Sequence, residues 1–420
     1  MQQTIYDILY SQYKIEKPIR LIELFAGYGS QYLALKYLGA NVEHHKICEW
    51  ATKSIQAYND LHIQDYNDYS QDLSDEEVID CLVKMGVSIN YNEPAKREQL
   101  KRQKFRKIYN NIIATNNLVN IQNAKGEDFE IKNKNDYTYV LTYSFPCQDL
   151  SLAGLRKGMG DTSTRSGMLW EVERILKELK KLDELPQILL MENVPQVHGQ
   201  ENVADFNKWQ YELEKMGYKN YFQDLIATDY GIPQTRNRTF MLSILGDYSY
   251  TFPKPIPLKL KLKDMLENNV NEKYYLSDKT IKFFYENEKK QKEKGNGFKF
   301  VVTNGDTIAK TITTRAGSRM DDNFIGTYQY SKSDKFMYGK PRLQIGKEVV
   351  DTILTTQKEG IVNNDLAIRK LTPKECFRLM GVKDEDFEKI AKNQSDSSLY
   401  HLAGDSIVVN VLMAIFKNLI

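Results

Sequence analysis

The run LIELFAGYGSQYLALKYLGANVEHHKICEW, beginning at Leu21, constrains the chain more than any other stretch. A short apolar segment meets a turn containing Gly27 and Gly29, an amphipathic stretch closes at Gly39, and a second apolar segment runs to Cys48. That succession predicts a β-α-β unit. Glycine in the turn lets the backbone approach a ligand closely, and the helix behind it offers N–H groups and a positive dipole end. Tyr32 stands where a dinucleotide fingerprint has its third glycine, so no pyrophosphate cradle is expected. Glu49, 22 residues after Gly27, ends the second strand with Trp50 beside it. A carboxylate there accepts from ribose hydroxyls and an indole stacks on adenine. The ligand implied is an adenosine without a pyrophosphate, which S-adenosylmethionine satisfies.

Beyond Cys48 the same alternation continues. YTYVLTYSF (137–145), QILLMENV (187–194), DLIATDYG (224–231) and TFMLSIL (239–245) read as strands, with helical patterns such as MLWEVERILKELKKL and DFNKWQYELEKMG between them. A doubly wound, mostly parallel α/β sheet follows. Residues 73–128 are helical in pattern and form an insertion or long crossover on that sheet. Three prolines in TFPKPIPLKLK (Pro253, Pro255, Pro257) end regular structure and mark a boundary. The chain therefore divides into a body at 1–250, a smaller irregular domain at 251–367 and a segment at 368–420 that returns to the body. Four cysteines in 420 residues make neither a disulfide framework nor a CxxC metal site. No run of about 18 apolar residues occurs, so a soluble cytoplasmic setting without a membrane partner is expected.

In an open parallel sheet, ligands bind beyond the C-terminal strand ends. Cys147, in SFPCQDLS, directly follows a strand and a rigid proline, a setting that suits an exposed nucleophile. Cys48, Cys81 and Cys376 lie in apolar patterns and read as small core residues. Glu192 in LLMENV stands at the end of another strand, where a partly closed crevice can raise its pKa for proton donation. Arg236 and Arg238, two apart in GIPQTRNRTF, point to one face as a pair of guanidinium forks for a carbonyl oxygen or phosphate.

The order FAGYG, CEW, PCQ, ENV and QTRNR, followed by IRKLTPKECFRLMGV and GDSIVVNVL, resembles the DNA (cytosine-5) methyltransferases of restriction-modification systems. The resemblance covers 20–250 and 368–417, with the Pro-marked segment standing where that family keeps its variable target-recognition region. It implies a base-flipping enzyme in which Cys147 attacks C6 of cytosine, Glu192 stabilises N3, and Arg236 with Arg238 holds O2. Phe25, Gly27, Gly29, Glu49, Trp50, Pro146, Leu169, Asp405 and Ser406 would line S-adenosylmethionine, leaving S-adenosylhomocysteine as product, with no metal. An acidic residue ahead of the insertion should contact the adenine amino group: Asp72, with Leu73 beside it, is preferred over Asp65 and Asp68. Gln148 to Gly167 would be a loop closing over double-stranded DNA, with Gln148, Ser151 and Ala153 as contacts. Arg315 and Arg319 in TITTRAGSR, a segment echoed by TILTTQKEG, are the guanine readers expected of a monomeric enzyme.

Three departures from that family's pattern stand out, one of them the insertion at 73–128, longer than in the smallest members, which covers the sheet or adds a basic surface through KREQLKRQKFRK, with a solvated helix face the preferred reading of that run. Ser144 replaces a usual Gly, with loop packing as its expected effect, and Asp405 replaces the usual Asn of the closing motif. A tRNA cytosine-5 methyltransferase shares these motifs. The roughly 115 residues between Pro253 and Ala367 favour DNA, because reading several base pairs needs an element that enters a groove. A catalytically silent DNA-binding protein is opposed by the intact Cys147, Glu192 and arginine pair. The formal charge of +2 conceals a division: residues 251–350 carry +8 and the remainder −6. A basic recognition region joined to a mildly acidic body can meet phosphates.

Overall fold

A computed structural model describes residues 12–146, 166–295, 297–328 and 366–420. Its centre is a six-stranded sheet of order β2-β1-β3-β4-β6-β5. The strands are β1 (Ile19–Leu24), β2 (Val42–Cys48), β3 (Thr138–Tyr143), β4 (Ile188–Asn193), β5 (Tyr218–Ile226) and β6 (Asn237–Leu245). The pairings β1/β2, β1/β3 and β3/β4 are parallel, while β6 runs antiparallel to both neighbours. Reversal of β6 has a functional consequence. Its first residues lie at the edge where the parallel strands end, so Arg238 arrives beside Glu192. The expected strand at 224–231 is displaced: β5 starts at Tyr218, and Ala227–Tyr230 is a 3-10 turn closed by Gly231 at φ 84.

Strands β3 and β4 are buried along their whole length, as strands covered on both faces must be. One core layer lies between the sheet, helix α1 (Ser30–Tyr37) and the closing part of the chain, and includes Leu33, Phe377, Leu412 and Phe416. A second, on the other face, joins Leu141 and Met241 to Leu176 of the helix Leu169–Lys181 and Trp209 of the helix Val203–Met216. The stretch Asp396–Lys417 has the mean hydropathy of a membrane span, 1.6, yet 67% of its apolar window is buried. It is a pair of core helices, Asp396–Asp405 and Val409–Lys417, broken at Ser406–Val408.

The insertion is helical. Ser74 and Glu77 form a capping box that opens the helix Asp75–Met85, and Gly86 in the left-handed region closes it. With the helix Phe105–Ala114 it builds a core of its own from Val78, Ile79, Leu82, Leu100 and Ile112. Three cations of the basic run KREQLKRQKFRK, Arg97, Lys101 and Arg106, pair within this unit, while Lys107 reaches Asn393 of the closing segment. Arg97 pairs with Glu76 and Asp80, and Arg106 with Asp75 and the carbonyls of Ser70 and Leu73.

Past the prolines, a three-stranded sheet β7 (Val302–Thr303), β8 (Phe324–Tyr328) and β9 (Leu366–Lys370) packs with Phe284 of the helix Asp278–Glu293 around Phe300, Met320 and Ile368. Residues Thr313 to Gly317 of TITTRAGSR form a turn region, and TILTTQKEG lies outside the described residues.

Candidate active site

A cavity of about 420 Å³ opens at the carboxyl ends of β1 to β4. The turn after β1 forms one wall, with Phe25, Gly27 and Gly29 all at positive φ. Nothing lies within 4 Å of where a Gly27 Cβ would stand, so this glycine serves its φ of 57° and faces open space. Gly29 is different. A Cβ there would come within 2.6 Å of His62 and Tyr58, and Gly29 does not line the cavity. It is a packing glycine behind the turn. The His62 ring carries its proton on Nε2, since that atom lies 2.9 and 3.0 Å from the carbonyls of Tyr28 and Gly29, which can only accept.

Glu49 is buried and accepts from the backbone N–H of Gly27 at 2.9 Å and of Ala51 at 2.7 Å. Burial pushes its pKa up to about 7 against those donors, and the charge of Asp405 adds to the rise. Trp50 lines the same wall. Asn117 holds the Glu49 backbone from both sides, accepting from its N–H at 3.0 Å and donating to its carbonyl at 2.9 Å.

Two expected cofactor contacts are corrected here. Asp72 is exposed and Leu73 packs beside Trp50 in the insertion core, so neither lines the cavity. Asp65 and Asp68, also off the cavity, cap local turns by accepting from Asn67 and Ser70. The wall is instead made by Val119, Asn120, Ile121 and Gln122, after the helices of the insertion. Leu118 donates to the Ile47 carbonyl at 2.9 Å, which runs this segment along the end of β2 and into the cavity. Tyr91, Asn92 and Pro94 of the insertion complete the wall. The apolar-polar alternation LVNIQ was the available signal. Leu169 is a third correction. It is fully buried in the core, and Met168, one residue earlier, reaches the cavity.

At the other end stand Ser144, Phe145 and Pro146, which lead to Cys147. Cys147, Gln148, Ser151 and Ala153 lie outside the described residues. Glu192, at the end of β4, is buried. Its Oε1 is 3.1 Å from Arg238 Nε, and its Oε2 accepts from the Ser144 hydroxyl at 2.6 Å. The residue expected to affect only loop packing therefore touches the central carboxylate. Asn193 donates to the Phe145 carbonyl at 3.1 Å, tying the loop before Pro146 to β4.

Arg236 is not a second open fork. Its buried guanidinium donates to the carbonyls of Ile312 at 3.1 Å, Gly404 at 3.0 Å and Ser406 at 2.6 Å. It straps the segment around Ile312 and the closing segment to the body. Gln234, also buried, joins the same strap by accepting from Ile312 N–H and donating to the Leu379 carbonyl. A Cβ at Gly404 would meet the Thr314 nitrogen at 2.2 Å, so only glycine admits that loop. Asp405 and Ser406 line the cavity, as does His401, which sequence reasoning missed. Asp405 Oδ2 lies 3.2 Å from His401 Nδ1, and the His401 ring stacks on Tyr91 at 3.8 Å. Arg315 is exposed and Arg319 is paired with Asp321, both off the cavity. Among the described residues no group of three or more His, Cys, Asp or Glu is placed to hold a metal.

The mostly parallel sheet with its single reversed strand, and a cavity at the strand ends, give the chain the fold of the S-adenosylmethionine-dependent, Rossmann-like methyltransferases. Solved structures agree on the fold. A mutant form of the DNMT2 of Spodoptera frugiperda superposes with a TM-score of 0.60 at 18% identity, over 95% of this chain and 98% of that one. The S. pombe Dnmt2 methyltransferase gives 0.58 at 16% identity, over 96% and 98%.

Residues 94–420 match the family of C-5 cytosine-specific DNA methylases. The type II methyltransferase M2.ScrFI of Lactococcus lactis subsp. cremoris is 32% identical over 408 residues, 96% of this chain and 99% of that protein. The orphan methyltransferase M.SssI of Spiroplasma monobiae is 31% identical over 412 residues, 96% and 97%. The chain belongs to this family and is a DNA (cytosine-5) methyltransferase, with restriction-modification enzymes among its relatives. Enzymes of the family use S-adenosylmethionine.

Proposed function

We propose that this enzyme swings a target cytosine out of duplex DNA into the cavity and methylates its C5 through a covalent bond from Cys147 to C6. The observation that supports this most is the placement of Glu192. Its carboxyl is held by Arg238 and Ser144 in the same cavity that Pro146 enters one residue before the thiol.

The donor set fits S-adenosylmethionine: Glu49 for ribose hydroxyls, Trp50 and Ile121 for the faces of adenine, Asn120 for its amino edge. When bound, that group supplies an electrophilic methyl on sulfur. The chain's residues do the rest. Cys147 thiolate adds to C6, and Glu192 gives a proton to N3 as electron density moves to C5. Arg238 compensates the carboxylate that forms, at a desolvated position where such compensation is strongest. After C5 takes the methyl, loss of the C5 proton restores the 5,6 double bond and expels the thiolate. Arg236 acts on this chemistry by holding the wall. Residues 251–350, with their charge of +8, supply the phosphate-binding surface, and one cytoplasmic monomer carries both catalysis and recognition.

The test is expression in a host lacking cytosine methylation, followed by base-resolution sequencing of 5-methylcytosine. The expected result is methylation confined to one short sequence. Unmethylated DNA, or 5-methylcytosine found in tRNA alone, contradicts the reading.

A further inference from the structure

Three carboxylates and two guanidinium groups line the described part of the cavity: Glu49, Glu192 and Asp405 against Arg236 and Arg238. Arg238 is taken by Glu192. Asp405 adds a third carboxylate to this lining. Its side chain is 54% exposed, in a helix whose other cavity-facing residues are largely covered, so its carboxyl faces whatever occupies the space, and desolvation by the cavity walls raises its pKa until a cation is there to hold it charged. It acts on both ends of the cavity. Asp405 interacts electrostatically with Glu49 on one side and with Glu192, Arg236 and Arg238 on the other. His401, stacked on Tyr91 of the insertion, places its Nδ1 3.2 Å from the Asp405 carboxylate.

The two ligands that must alternate in this cavity differ by one charge. S-adenosylmethionine carries one net positive charge at neutral pH, from its sulfonium, ammonium and carboxylate groups. Its thioether product carries none. We propose that Asp405 is a specificity-determining residue that makes the cavity favour the sulfonium form over the thioether product and so promotes product exchange. This rests on the assignment of the cavity to that cofactor.

Calorimetric titration of the full chain with S-adenosylmethionine and, separately, S-adenosylhomocysteine tests it. The expected result is that Asp405→Asn narrows the ratio of the two dissociation constants by roughly three- to tenfold, the size of one partly screened charge at close range. Asp405→Glu should keep the ratio near the wild-type value. A ratio unchanged by Asp405→Asn, or lowered equally by both variants, overturns the role of Asp405 while leaving the cavity assignment in place. A wild-type chain that binds neither ligand overturns the assignment and this inference with it.

Discussion

Arg238 and Glu192 meet across neighbouring strands with Nε 3.1 Å from Oε1, the arginine at the start of the reversed β6 and the glutamate at the end of β4. The pair exists because β6 runs against its neighbours; a parallel sixth strand would carry Arg238 to the opposite edge of the sheet. Glu192→Gln is expected to lower the single-turnover methylation rate by about 10² to 10⁴, the usual worth of a positioned acid. Binding of S-adenosylmethionine should stay within about twofold of wild type. A rate within tenfold of wild type would remove Glu192 from the chemistry.

Ser144 gives the other half of that geometry. Its hydroxyl is a donor to a charged group, a contact with a net worth of about 1.5 to 3 kcal/mol. Ser144→Ala should therefore slow single-turnover methylation by roughly ten- to a hundredfold at unchanged cofactor affinity. An unaltered rate would return this residue to loop packing.

Arg236 serves a different purpose from its neighbour two residues on. Removing it leaves the carbonyls of Ile312, Gly404 and Ser406 without their donor in a buried place, each costing about 1 to 3 kcal/mol when unpaired. Arg236→Ala is expected to lower the thermal midpoint by several degrees. Arg238→Ala should lower activity with a much smaller change in melting. The opposite pattern would exchange their roles.

Behind the glycine turn lies a buried chain of polar groups. Glu23 accepts from Tyr32 N–H at 3.2 Å and contacts the Tyr58 hydroxyl at 2.6 Å, which also contacts His44 Nδ1 at 3.0 Å. Burial raises Glu23 to about 7, against the hydrogen bonds from Tyr58 and Tyr32, and lowers His44 to about 4. Tyr58 donates to the Glu23 carboxyl, and a protonated Glu23 avoids burying a charge there. The folded-state pKa of Glu23 lies above its unfolded value, so its contribution is complete below about pH 4.5 and is lost as pH rises to about 7. Glutamine mimics the protonated acid. Glu23→Gln should gain up to about 3 kcal/mol relative to wild type between those limits, measured by urea unfolding across the range. A difference independent of pH would contradict the buried, protonated state.

Much of this site was legible because its parts are local. A strand, a glycine turn and an acid at the next strand end follow one another in a single short run, and Glu192 and Arg238 sit at the ends of well-patterned strands. What was missed depends on pairing in space. Asn120 and Ile121, and not Asp72, line the cavity because Leu118 donates to the Ile47 carbonyl across the insertion. Met168 and Leu169 differ by one residue of helical phase, a rotation of about 100° that sends one to the cavity and the other to the core. Arg236 and Arg238 look alike in sequence, yet the partners of Arg236 come from 76 to 170 residues away. His401 and Tyr91 carry no motif and meet only through the packing of the insertion against the closing segment.

The central claim is a covalent bond between Cys147 and the target base. Duplex DNA carrying 5-fluorocytosine at the methylated position, incubated with enzyme and S-adenosylmethionine, tests it most directly, because a fluorine at C5 cannot leave as the proton does. The expected result is a stable protein–DNA adduct whose mass spectrum places the base on Cys147, and no adduct with Cys147→Ser. Turnover of the natural duplex with no trapped adduct on the fluorinated one, or an adduct on another residue, would contradict it.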